Sequence, residues 1–245
     1  MVRTKMIIQY DGTNYHGFQR QINAHTVQQE IEQCLYKLTA EKITITSAGR
    51  TDAGVHALGQ VIAFDSDSTI PPERFDLALN TILPPDIRAL KSELAAPDFH
   101  PRYEAIQKQY RYMIYREKEQ AIFFRNYACC YSRELNVKAM QGACALIEGK
   151  HDFKAFCSTG SSAKTSERNV YKCSLREKGP FLILDISANG FLYNMVRIIT
   201  GTLLKIGRGR QKHDISEIFA CQERSMAGPT APPQGLYLAA VEYRN

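Results

Sequence analysis

The order of strands and helices predicted along the chain occurs twice, and this duplication constrains the fold more than any single motif. Alternating apolar residues predict strands, and apolar residues three and four apart predict helices. The clearest helix has Val27, Ile31 and Leu35 on one apolar stripe, after a capping box of Thr26 and Gln29. The elements predicted in the first hundred residues are, in order, strand Lys5–Tyr10, helix Thr26–Leu38, strands Ile43–Thr46 and Gln60–Phe64, helix Pro72–Leu83 and strand Ile87–Leu94.

The second half repeats this order with one inserted helix. Two split βαβ units in tandem are typical of a ferredoxin-like duplication. We therefore predict an α+β fold in which two ferredoxin-like βαββαβ halves, residues 1–100 and 101–245, form one extended antiparallel sheet with helices on one face and a cleft at the seam. The predicted elements are strand Ala105–Arg116, helix Val137–Ile147, the hairpin Val170–Glu177 and Phe181–Ser187, helices Phe191–Ile206 and Asp214–Cys221, and strand Leu236–Tyr243. The short helix Asp214–Cys221 begins with an Asp/Glu capping box.

Composition narrows the class of partner. Lysine and arginine together number 31 against 25 aspartates and glutamates, so the net charge of +6 favours a polyanion as the binding partner.

No apolar run reaches the roughly 18 residues of a membrane span, and no secretory signal opens the sequence, so we expect a cytoplasmic protein without a membrane partner. The 7 cysteines include no CxxC pair and the 6 histidines no HxH or HExxH spacing, so we expect no metal.

The glycine-containing segment 49–57 lies between two predicted strands and carries Asp52. A loop aspartate commonly bonds its own backbone in an Asx-turn, and spacing alone favours that interpretation. The alternative is a carboxylate that a guanidinium, from Arg50 or from the other half, keeps ionised as a nucleophile or base.

Two basic segments of the second half also allow two interpretations. Tyr110 lies in a strand that alternates tyrosines with lysine and arginine, which is compatible with core packing or with a platform for a stacked base. Residues 196–213 are basic without an acidic residue, which is compatible with contact to phosphate groups or with a solvated cationic helix C-terminus. Within this segment Arg197 stands among apolar neighbours. A partly buried arginine needs a partner, and a carboxylate is the expected one.

Several ordered motifs, spread from about Lys5 to Tyr243, resemble those of the tRNA pseudouridine synthase A family. The segment 49–57, with the sequence Gly-Arg-Thr-Asp-Ala-Gly-Val-His-Ala, is the most specific of them. The motifs that carry the resemblance are Tyr10–Thr13, Tyr15–Gln21, Gly49–Ala57, Lys108–Tyr112, Asn194–Arg197 and Gly235–Leu238.

The resemblance implies isomerisation of uridine to pseudouridine in the anticodon stem-loop of tRNAs, at tRNA positions 38, 39 and 40. It implies that Asp52 is the catalytic aspartate, that Tyr110 contacts the substrate and that Arg197 pairs with the aspartate. It also implies that Arg50 and Leu236 line the same cleft. The resemblance also implies a homodimer that binds tRNA. No cofactor is expected, because the reaction has no net redox change and loses no group.

Two other classes of function are weighed against this expectation. A non-catalytic RNA-binding protein on the same fold has no need of a carboxylate facing RNA, so the Arg50-Thr51-Asp52 sequence favours the enzyme. A metal-dependent nuclease needs clustered carboxylates, which the sequence does not show.

Overall fold

The computed structural model describes residues 1–161 and 163–244, which divide into two compact units. The first unit is Met1–Ile106 together with the chain from Tyr237 onward, and the second is Gln107–Leu236. The strands are β1 (Val2–Tyr10), β2 (Thr46–Ser47), β3 (His56–Ser66), β4 (Ile87–Leu94), β5 (Ala105–Tyr115), β6 (Cys129–Cys130), β7 (Gly149–Asp152), β8 (Glu167–Lys178), β9 (Phe181–Ala188) and β10 (Leu236–Tyr243). The helices are α1 (Val27–Thr39), α2 (Phe75–Leu79), α3 (Ala121–Phe124), α4 (Val137–Ile147), α5 (Met195–Gly207) and α6 (Ile215–Cys221), with short 3₁₀ turns between them.

The first unit has the strand order of a ferredoxin-like half. Strand β1 lies between β3 and β4 and is antiparallel to both, and β2 pairs with β3, which gives the order β4-β1-β3-β2. Alternate residues of β1, such as Met6 and Ile8, are buried, as expected for a strand with one face on a core. The predicted α+β class is therefore confirmed.

The last strand packs in the first unit, although the sequence analysis assigns it to the half 101–245. Strand β10 runs parallel to β3, with Tyr237 opposite His56 and Leu238 opposite Ala57. The end of β10 is also held by a side-chain hydrogen bond, in which the Tyr243 hydroxyl donates to the carbonyl of Pro101 at 2.8 Å. The division of the sequence into halves at residue 100 stays a prediction.

The second unit is built on four strands in the order β5-β9-β8-β7, with antiparallel neighbours. Two predicted elements, the helix Val137–Ile147 and the α6 capping box of Asp214 and Glu217, are confirmed as predicted. Strand β7 and the short α3 and β6 were not predicted. Among the described residues, no helix combines the length and the apolar character needed to cross a membrane.

Two predicted helices are longer than the real ones. The helix predicted over 191–206 begins only at Met195, because Asn194 has a left-handed backbone with φ of 62° that starts the helix abruptly. The helix predicted over 72–83 becomes a 3₁₀ turn followed by α2, which ends before Asn80. The Asn80 amide then bonds both backbone groups of Ala89 in β4, at 2.8 and 2.9 Å.

Candidate active site

The loop that carries Asp52 is fixed to the sheet by a buried glutamine. Gln60 of β3 has no exposed surface, and its side-chain amide bonds both backbone groups of Gly49. Its Nε2 donates to the Gly49 carbonyl at 2.7 Å, and its Oε1 accepts from the Gly49 N–H at 3.3 Å. The entrance of the loop is therefore held by the same kind of paired contact that holds neighbouring strands together.

A second anchor holds the residue immediately before Asp52. The hydroxyls of Tyr10 and Thr51 lie 2.7 Å apart in a buried hydrogen bond, and the Phe18 N–H donates to the Thr51 carbonyl at 3.0 Å. Burial raises the pKa of Tyr10, so this hydroxyl stays protonated. After Asp52 the backbone turns, and the Val55 N–H donates to the Asp52 carbonyl at 3.1 Å.

The segment before α1 packs directly on this loop, and two of its residues must be glycine. A Cβ at Gly12 would lie 2.0 Å from the carbonyl oxygen of Val55. Gly17 has φ of +90°, and a Cβ there would lie 2.7 Å from the Thr51 carbonyl oxygen. The two close approaches fix the backbone on both sides of Asp52.

This framework leaves the two candidate side chains accessible. Arg50 is exposed and Asp52 is partly exposed. Thr51 and Val55, which flank Asp52 in the held part of the loop, are buried. Such a loop can present a carboxylate to a ligand with little freedom to move. A carboxylate so held can act as a nucleophile or as a general base.

The second unit contains the other three predicted site residues, of which Arg197 contacts the segment 231–236 and Leu236 ends it. Arg197, in the first turn of α5, donates from Nε to the Ala231 carbonyl and from a terminal nitrogen to Asn194 Oδ1, both at 2.8 Å. The segment continues through a 3₁₀ turn to Leu236, which is buried.

The tyrosines of β5 have different environments. Tyr112 is fully buried, and its hydroxyl donates to the Pro232 carbonyl at 2.7 Å, so it belongs to the core and fixes the segment 231–236. Burial raises the pKa of Tyr112, which keeps that donor protonated. Tyr110 lies two residues earlier on the same face of β5 and retains 9% exposure, with its ring edge-on to Phe191 at 5.0 Å.

The sequence analysis named five candidate residues, whose roles stay predictions, but missed the residues that hold them. Asp52 and Arg50 lie in the first unit, and Tyr110, Arg197 and Leu236 lie in the second. Gln60 carried one signal in the sequence, because it is a polar residue immediately before the apolar run Val61–Phe64 in a predicted strand. A buried polar side chain needs a partner, and here that partner is the loop backbone. The contact between Tyr10 and Thr51 spans 41 residues and left no local signal.

The structure is an α+β protein in which hydrogen bonds hold a loop that carries a partly exposed carboxylate. A family model described as tRNA pseudouridine synthase matches residues 6–104 and 143–244. The protein named tRNA pseudouridine synthase A from Syntrophomonas wolfei subsp. wolfei is 55% identical over 99% of this chain and 98% of its own length. The protein of the same name from Moorella thermoacetica is 50% identical, with 98% of each chain covered.

The chain belongs to the tRNA pseudouridine synthase family, and its class of enzyme is isomerase. A solved structure described as the archaeal box H/ACA sRNP Nop10-Cbf5 complex has a TM-score of 0.40 and 10% identity, over 82% of this chain and 43% of that one. This likeness is too distant to add to the assignment.

Proposed function

We propose that the protein isomerises uridine to pseudouridine at tRNA positions 38, 39 and 40, in the anticodon stem-loop, with Asp52 as the catalytic nucleophile. The observation that carries this proposal is the loop itself: Gly49 and Thr51 are held by hydrogen bonds to the buried side chains of Gln60 and Tyr10, while Asp52 is partly exposed. A family of isomerases that act on RNA has a use for such a carboxylate.

The reaction detaches the uracil from C1′ of the ribose and rejoins it through carbon. The bond between C1′ and N1 breaks, and a bond between C1′ and C5 forms. One proton leaves C5 and one is taken up at N1, so atoms and electrons balance without an oxidant or a reductant. We propose on this chemical ground that the enzyme needs no redox cofactor. We also propose that it needs no metal, because the sequence has no CxxC, HxH or HExxH spacing.

A uridine paired in a stem must leave its stack before the glycosidic bond is accessible, which costs a few kcal/mol. Contacts between the protein and the phosphate backbone supply free energy for this step. We assign Tyr110, Arg50, Arg197 and Leu236 as substrate-binding residues. We further propose that the protein works in the cytoplasm as a homodimer, whose mass in solution would be twice the 27.7 kDa of one chain.

The test is to incubate the purified protein with an unmodified tRNA transcript and to map pseudouridine along the RNA. We expect modification at positions 38–40 of transcripts that carry uridine there. A matched transcript with cytidine at these positions should stay unmodified. Pseudouridine confined to another arm of the tRNA would overturn the assigned position, and no pseudouridine in any transcript would overturn the activity.

A further inference from the structure

A basic pocket lies in the second unit, at the C-terminal end of α5. It is lined by four arginines, Arg116, Arg133, Arg208 and Arg210, and it has a volume of about 820 Å³. The arginines come from three separate parts of the chain, so the fold rather than one basic run creates this cluster.

The charge of the pocket is not balanced by neighbouring carboxylates. Arg116 pairs with Glu177 at 2.8 Å, and Glu134 is the one acidic residue among those that line the pocket. In residues 1–161 and 163–244, Arg133, Arg208 and Arg210 have no ion-pair partner. The Nε–H of Arg116 also has no acceptor within those described ranges. The pocket therefore has a surplus of positive charge.

The ordinary explanation for arginines at the end of a helix is that they stabilise its last carbonyl groups. Those carbonyls already have backbone donors here. The N–H groups of Arg208, Gly209 and Arg210 donate to the carbonyls of residues 204–206 at 2.9–3.2 Å. The Gly207 carbonyl accepts from the Asn136 N–H at 2.7 Å. The guanidinium groups are consequently not needed to cap α5.

The N-terminus of α4, which also lies at the pocket, adds to its positive potential. Asn136 lines the pocket and caps the N-terminus of α4, where its side chain accepts from the Ala139 N–H at 3.0 Å. The N-terminus of a helix carries a partial positive charge, which favours an anion nearby. Guanidinium forks match the oxygen geometry of phosphate groups and bind them in pairs of hydrogen bonds.

We propose that the basic pocket binds phosphodiester groups of an RNA backbone. The proposal rests on the proposed function for the identity of the ligand as RNA. The pocket lies about 16 Å along α5 from Arg197, since eleven residues separate Arg197 from Arg208 at about 1.5 Å each. It is thus a second contact with the RNA, separate from the residues assigned to the target uridine.

The test is the salt dependence of tRNA affinity. Each phosphate contact contributes about 0.7–0.9 to the slope of log K against log salt concentration. The double variant Arg133→Gln/Arg210→Gln should therefore lower the slope by about 1.4–1.8. Between 50 and 200 mM salt, wild-type affinity should fall about 7- to 12-fold more than the affinity of the variant. Arg74→Gln, which removes an exposed arginine from the first unit, is the matched control and should keep the wild-type slope.

Further measurements separate the possible outcomes. Arg133→Lys/Arg210→Lys keeps both charges and should restore the slope, which excludes misfolding as the cause. A slope in the glutamine variant equal to that of the wild type would overturn the proposal. A second result would also overturn the proposal: millimolar pyrophosphate raises the Tm of the wild type but not that of the glutamine variant, while the two salt slopes are equal. The pocket would then be a site for small anions and not for RNA. Pseudouridine mapping is scored separately, so failure of the isomerase assignment leaves the slope result readable.

Discussion

Replacing Gln60 tests whether the buried clamp on Gly49 sets the position of Asp52. Gln60→Met keeps the length of the side chain and removes both hydrogen bonds to the Gly49 backbone. Each such bond contributes about 1 kcal/mol, and a buried donor left without an acceptor costs about 1–3 kcal/mol. The Gly49 carbonyl keeps a weaker bond from the Ser47 hydroxyl at 3.3 Å, so the Gly49 N–H is the group left without a partner.

One lost hydrogen bond and one unpaired donor together give a loss of about 2–4 kcal/mol in the free energy of unfolding. For a chain of this size the expected fall in Tm is about 4–16 °C. Asp52 lies three residues after Gly49, and a misplacement of about 1 Å at a reacting group costs up to roughly a hundredfold in rate. We expect kcat for pseudouridine formation to fall about 10- to 100-fold, with little change in tRNA affinity.

The assay measures single-turnover pseudouridine formation well below the Tm of the variant, beside calorimetry of the same samples. Gln33→Met is the matched control, because Gln33 is exposed on α1, and it should change neither quantity. A lowered Tm with a wild-type rate would refute the positioning role, since the clamp would then serve stability alone.

Three further predictions follow from other contacts. Gly12→Ala places a Cβ 2.0 Å from the Val55 oxygen and should lower both Tm and kcat, whereas Gly142→Ala, where nothing lies within 4 Å of the new Cβ, should raise stability by up to about 1 kcal/mol. Equal behaviour of the two variants in thermal melts would contradict this. Tyr112→Phe removes the hydrogen bond to the Pro232 carbonyl and should lower Tm by about 2–6 °C, and calorimetry showing no shift would mean that this bond does not stabilise the segment 231–236. Chelation of divalent ions should leave turnover of a prefolded tRNA unchanged, and a loss restored by one added metal would contradict the metal-free reaction.

What could be predicted from the sequence was mostly local. The N-cap at Thr26 and the capping box at Asp214 involve residues three apart, so their spacing alone identified the helix starts. The end of α2 could not be predicted in this way, because Asn80 bonds Ala89, nine residues away in another element. Strand β2 is shorter than its Ile-Thr alternation suggests, since the Ile45 N–H donates to the Glu32 carboxylate instead of to a neighbouring strand.

The candidate site likewise contains residues that a local motif names and residues that only the folded chain brings to the loop. Asp52 and Arg50 were named as candidates because one contiguous motif that resembles the family contains both, and their roles stay predictions. The residues that hold their loop, Tyr10, Gly12 and Gln60, come from two other strands and the turn after the first. Their contacts exist only once the chain has folded, and no spacing in the sequence encodes them.

The most direct measurement of the central proposal compares Asp52→Asn with the wild type in both catalysis and binding. Asparagine has nearly the same shape as aspartate but lacks the charge and cannot serve as the nucleophile. We predict that the variant makes no detectable pseudouridine in an unmodified tRNA transcript, while its Kd for that tRNA stays within several-fold of the wild-type value. Pseudouridine formation by Asp52→Asn at near the wild-type rate would contradict the assignment of Asp52 as the nucleophile.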